Sequence, residues 1–165
     1  MTFALPNRGP RFISVEFTPN VGCLGCVVAV VNDFCRNVID DKDTQYAIQL
    51  AAYELVENLI KYSIGDHVNI DIRVVGGISG HELVLTTKNQ AVQSRLRDVE
   101  SRLSAVESAL DPVAHFDVLV HESIESPGES RLGLGRLRGE VDLKVSHRIE
   151  EDYVIIEVRR EIYRS

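Results

Sequence analysis

Cysteine is scarce in this chain, and what there is points to no obvious chemistry. The three cysteines are an odd number. Cys23 and Cys26 form a C-x-x-C and Cys35 stands apart, with no companion C-x-x-C and no closely spaced histidine pair. A zinc site would need a fourth ligand from elsewhere, and a thioredoxin-like site would need the motif to open a helix after a strand, so the cysteines are read as small core residues. His67, His81, His115, His121 and His147 have no metal-ligand spacing, and no serine or cysteine sits in a nucleophile elbow. Long apolar runs are missing too, so no stretch spans a bilayer. The segment from Met1 to Arg8 lacks the leading positive charge and apolar length of a secretory signal, which makes the cytoplasm the default expectation. Basic charge is short: 18 Lys and Arg stand against 25 Asp and Glu, for a net charge of -7. With a pI near 5.2, nonspecific partnership with nucleic acid or an anionic membrane is disfavoured.

What remains is an ordinary globular composition, 165 residues with 44% hydrophobic content, enough for one domain over 1–165 with its own core. Residues Arg11 to Thr18 alternate as a strand, and Val27, Val30, Val31, Phe34 and Val38 recur at helical spacing from Cys23 to Val38. The polar junction Asp40 to Thr44 offers N-caps for a long helix running to Ser63, with Gly65 just beyond its end. Val68 to Val75 and His81 to Thr87 read as a hairpin about Gly76-Gly77-Ile78-Ser79-Gly80. In its first strand Ile70, Ile72 and Val74 face one way and Asn69, Asp71 and Arg73 the other. From Val92, residues Leu96, Val99, Leu103, Val106 and Leu110 follow at alternating spacings of four and three, a heptad stripe that predicts one helix over 90–110. Such a stripe packs on its own domain or on a second copy, and both readings stand. Asp111-Pro112 ends it and a further helix is expected from Val113 to Ile124. Ser126 to Ser130 form a turn leading to the glycine-spaced Arg131 to Leu137 and a short helix reaching Val141. Leu143 to Ile149 and Tyr153 to Glu161 make a second hairpin about Glu150-Glu151-Asp152. The order predicts an α+β two-layer sandwich: a mainly antiparallel sheet, helices on one face, and a helical insert at about 90–126 before the second glycine loop.

Within the long helix, Glu54, Asn58 and Lys61 share a polar row beside the apolar row of Ala51, Leu55, Leu59 and Tyr62. On spacing alone this is an amphipathic helix with a polar rim. A carboxylate, an amide oxygen and an ammonium there also suit a general base, a magnesium ligand and a phosphate contact.

Glu54-x-x-x-Asn58-x-x-Lys61-Tyr62-Ser63 resembles the N box of the GHKL (histidine-kinase-like) ATPase superfamily, and Gly133-Leu134-Gly135 resembles its second glycine box, in the same order about a hairpin. The resemblance implies a Bergerat-type ATP-binding fold. It makes Asn58 the Mg²⁺ ligand, Glu54 the base that receives the proton of a partner hydroxyl, and Lys61 a phosphate contact, with Gly133, Leu134 and Gly135 at the phosphates. Where most of the superfamily has an Asp-x-Gly-x-Gly box with an adenine-reading aspartate, this chain has Thr86-Thr87-Lys88-Asn89-Gln90-Ala91, so that Thr87 or Asn89 would have to substitute. An Asn there, followed by a long helical insert, is similar to the SiaB-type branch and so to the serine kinases that act as anti-sigma factors. By that resemblance the expected function is ATP- and Mg²⁺-dependent serine/threonine phosphorylation of a small STAS-type partner in partner-switching signal transduction. The competing expectation, motivated by the missing aspartate, is a catalytically silent adaptor that works by protein binding or by dimerising through residues 92–110.

Overall fold

The computed structural model describes residues 11–76, 80–125 and 132–162. Strand β1 (Phe12–Phe17) leads through α1 (Cys23–Val38) and α2 (Lys42–Tyr62) to β2 (Val68–Gly76) and β3 (His81–Gln90). A 3₁₀ turn (Gln93–Arg95), α3 (Leu96–Ser108) and α4 (Pro112–Glu125) form the insert, and α5 (Leu132–Gly139), β4 (Lys144–Glu150) and β5 (Tyr153–Ile162) complete the fold. The tip of the first hairpin at 77–79 and the expected turn at Ser126 to Ser130 lie outside the described residues.

The five strands form one sheet in the order β1-β2-β3-β5-β4, antiparallel throughout. Its register sets a row Ile13, Ile72, Leu85, Val158 and Val145 across the inner face. Val31, Phe34, Ile48, Leu55 and Leu137 from the helices close over that face to make a single core. The α+β sandwich read from the sequence is therefore the fold.

α2 is the helix on which the candidate site depends, and its start is fixed by chemistry. Asp41 is its N-cap, and its carboxylate accepts from the Thr44 backbone N–H at 2.8 Å and from the Thr44 hydroxyl. These bonds hold the Asp41 carboxyl below the usual range, the Thr44 hydroxyl contributing most. At the other end Gly65 adopts φ +93°, a conformation that favours glycine.

Several expectations are corrected. The helix predicted over 90–110 is α3, which runs only over Leu96–Ser108, because Gln90 still belongs to β3 and pairs with Tyr153. Leu103 and Val106 of the heptad stripe are buried within the chain, while Val92 and Leu110 are exposed. In α1 it is Val28, not Val30, that is buried, and Cys26 is exposed, so only Cys35 is a fully buried core cysteine. Burial raises the Cys35 thiol to about 12, which leaves it inert as a nucleophile. Finally, the outer sheet face is less polar than the alternation of β2 implies. Val84 (0% exposed) and Ile155 (3%) are buried there. In register Val84 lies between Arg73 and Arg159, and Ile155 between Lys88 and Arg148.

Candidate functional site

Between α2, β3, β5 and the insert lies a cavity of about 480 Å³. Its floor is the inner face of the sheet at Asn89, Val154 and Ile156, and one wall is the last turn of α2 with the residues that follow it. α3 and α4 form the roof, and Gly133 and Leu134 of α5 close one end.

Of the eight residues singled out from the sequence, Asn58, Lys61, Asn89, Gly133 and Leu134 line this one cavity. Asn58 is half-buried, and its side chain has no hydrogen-bond partner among the described residues. Lys61 is exposed at the rim and pairs with Glu57 at 3.2 Å, one turn back on the same helix. Asn89 is buried, with a single long contact from its amide to the Gln90 carbonyl at 3.4 Å. It reaches the cavity because β3 continues past Thr87. Both residues occupy inward positions, with Thr87 opposite Ile156 and Asn89 opposite Val154. Thr87 itself is buried beneath the sheet face and does not line the cavity.

Glu54 and Gly135 stand outside the cavity lining. Glu54 is 8% exposed, its Oε1 lies 3.7 Å from Arg136 Nη1, and the backbone of Gly133 rests against its carboxylate so closely that a Cβ at 133 would overlap Oε2. Burial is the main cause that raises the Glu54 carboxyl, Glu57 adds to it by repulsion, and Arg136 and Lys61 draw it back down. Arg136 is itself held by Glu140, Nε to Oε2, at 2.5 Å. Gly135 packs against Leu119 of α4, and there too a Cβ would overlap. Both glycines therefore sit inside α5 rather than in a loop ahead of it, and close helix packing accounts for each.

The insert is fastened over the cavity at two points. Arg138 of α5 donates to the carbonyls at the C-terminal end of α3, those of Val106, Glu107 (2.9 Å) and Ala109 (3.3 Å). Glu107 in turn accepts from the His147 backbone N–H at 3.2 Å and lies 2.6 Å from its Nδ1, tying α3 to β4.

Sequence reasoning missed Arg95, Arg102, His115 and Glu122, all of which line the cavity from the insert. The heptad stripe drew attention to the apolar side of α3, and the spacing of its charged residues signalled only an i,i+4 pair of Asp98 with Arg102, which forms at 2.8 Å. Tyr62, placed in the apolar row, is exposed and lines the cavity with Ser63.

No protein-family model and no curated protein sequence matches this chain. Its fold does match a solved structure, a chain of the crystal structure of the SiaB–SiaC complex from Pseudomonas aeruginosa. The TM-score is 0.65 at 14% identity over 90% of this chain and 89% of that one. At that identity the likeness is one of fold, an α+β sandwich shared over nearly the whole length. Among the described residues no helix is long and apolar enough to cross a membrane.

Proposed function

We propose that the cavity binds ATP with Mg²⁺ and that the chain is a regulatory serine/threonine kinase of a partner-switching pathway, acting on a hydroxyl of a small STAS-type protein. The observation that carries this reading is the convergence of Asn58, Lys61, Asn89, Gly133 and Leu134, from three separate stretches of sequence, on one cavity. A fold shared with a chain from a two-protein complex supports a small protein partner.

The residues present fit the metal. Among the described residues there is no cluster of three His, Cys, Asp or Glu to hold an ion by themselves. Mg²⁺, however, takes few protein ligands and completes its shell with phosphate and water oxygens, so the unengaged carboxamide of Asn58 is sufficient. ATP and Mg²⁺ supply the transferable phosphoryl group and neutralise its charge. In this reading Lys61 meets the phosphates at the cavity rim. Asn89, backed by Thr87 on the same inward row, meets the base with a carboxamide that both donates and accepts. Gly133 and Leu134 bring the α5 backbone to the phosphates, with Gly135 setting how closely α5 approaches α4. Glu54 receives the partner's proton.

Titration of the chain with Mg-ATP by calorimetry tests the reading: saturable binding is expected, and its absence beside a positive control rules it out. A second reading, the silent adaptor, is favoured by the burial of Glu54 under Gly133 and its pairing with Arg136. Glu54→Gln separates the two. Loss of phosphorylated partner with partner binding intact identifies the kinase, and unchanged regulation identifies the adaptor. Homodimerisation through residues 92–110 has less behind it, since Leu103 and Val106 are buried within the chain and face its own cavity. A monomeric mass in solution, unchanged in Leu103→Asp, would dispose of it.

A further inference from the structure

We propose that Arg95 is an anion-binding residue of the cavity and, with Lys61, holds the charged end of its ligand. For the identity of that ligand, a nucleoside polyphosphate, the inference rests on the reading above. For the role of the arginine it rests on the geometry alone.

The chain is acidic, with a net charge of -7, yet the cavity reverses that balance. Among the described residues, Lys61, Arg95 and Arg102 line it against the single carboxylate of Glu122. The three cations are not equivalent. Lys61 is shared with Glu57 at 3.2 Å, and Arg102 with Asp98 at 2.8 Å. The guanidinium of Arg95 has no hydrogen-bond or ion-pair partner among the described residues. Arginine stays charged at any physiological pH and presents a planar fork of donors matched to phosphate oxygens.

The backbone under Arg95 is anchored. Its N–H donates to the Val92 carbonyl at 2.8 Å, and the Ala91 N–H donates to the Asp152 carbonyl at 2.9 Å, which pins the exit of β3. A further bond, Ile64 N–H to the Gln90 carbonyl at 2.9 Å, joins the end of α2 to the end of β3. Lys61 and Arg95 thus belong to the two segments that this bond brings together. Much of the remaining wall is apolar, with Leu103, Val106, Leu119, Val154 and Ile156 available to an apolar body. An apolar chamber with cations on its lining takes an amphipathic anion, and a nucleoside polyphosphate has that form, with the base inside and the phosphates toward Lys61 and Arg95.

The test uses the full chain and three probes, adenosine, ATP and inorganic tripolyphosphate, titrated into the unaltered protein, Arg95→Gln and Arg95→Lys, with circular dichroism to check that each variant is folded. Arg95→Gln is expected to weaken ATP and tripolyphosphate about tenfold, as for loss of a hydrogen bond to a charged group, and to leave adenosine unchanged. Arg95→Lys is expected to recover part of the loss, since it restores the charge without the fork. Unchanged tripolyphosphate and ATP affinity in Arg95→Gln, or an equal loss for adenosine, overturns the assignment of Arg95 while leaving the nucleotide reading in place. Tripolyphosphate binding that depends on Arg95, without binding of ATP or adenosine, keeps Arg95 and removes the nucleotide. Binding of none of the three removes both.

Discussion

Gly133 lies directly against the carboxylate of Glu54, and that contact, with Arg136 Nη1 3.7 Å from Glu54 Oε1, joins the glycine helix to the helix that carries the polar row. A methyl at 133 would have to displace either the buried carboxylate or α5. Gly133→Ala is therefore expected to destabilise the fold by about 1–3 kcal/mol, the range for overpacking a closed site. Urea denaturation gives the value. In a Glu54→Ala background the penalty should largely vanish, because the overlapped atoms are gone, and a double-mutant cycle measures that coupling.

The same pair predicts a pH dependence. The Glu54 carboxyl is raised in the folded chain, chiefly by burial. The folded state thus binds its proton more tightly than the unfolded state does, and stability contributed below the unfolded value is lost as pH rises through the folded one. Arg136 is among the groups that restrain the shift, so Arg136→Gln should widen the window. Relative to the unaltered chain, the variant should lose more stability on going upward from about pH 4, the ordinary carboxylate range. Combining it with Glu54→Gln should abolish the difference, as read from denaturation midpoints across pH.

The Asp41 cap has the opposite sign. Its carboxyl is lowered by the Thr44 hydroxyl and backbone, so its contribution is present above the unfolded value and fades as pH falls through the folded one. Asp41→Ala is expected to lower stability at neutral pH through loss of the cap. The gap between the variant and the unaltered chain should shrink in acid. Since α2 carries Asn58 and Lys61, amide exchange should quicken in its first turns while the site end is preserved.

Arg138 reads out the attachment of the roof. Its guanidinium serves several carbonyls at the end of α3, and a hydrogen bond from a charged donor contributes about 1.5–3 kcal/mol. Arg138→Ala should reduce stability by an amount in that range and increase hydrogen exchange in α3 more than in α1, measurable by mass spectrometry of peptides.

The fold was legible where side-chain pattern and burial coincide. α1 has the bounds that its apolar spacing marks, Cys23–Val38, and the second hairpin turns at Glu150-Glu151-Asp152 as its acidic residues indicate, with Glu151 at φ +58°. It was obscured where the site interrupts the pattern. Thr87 and Asn89 fill inward positions that an uninterrupted core would give to aliphatic residues, so the strand reads as ending at Thr87 and Gln90 as opening the next helix. The same inward Asn89 gives the cavity floor a polar group. Arg95 and His115 were illegible for a different reason. Arg95 reaches the cavity from the 3₁₀ turn after β3, and His115 because α4 folds back over it, and that packing leaves no trace in local spacing.

Hydrogen exchange of the full chain with and without Mg-ATP both detects nucleotide binding and locates it. Protection is predicted at the end of α2 around Asn58 to Ile64, at the end of β3 through Arg95, and in the first turn of α5 at Gly133 and Leu134, and it should be diminished in Asn58→Ala. No protection at saturating Mg-ATP, or protection confined to the outer sheet face, would contradict the account.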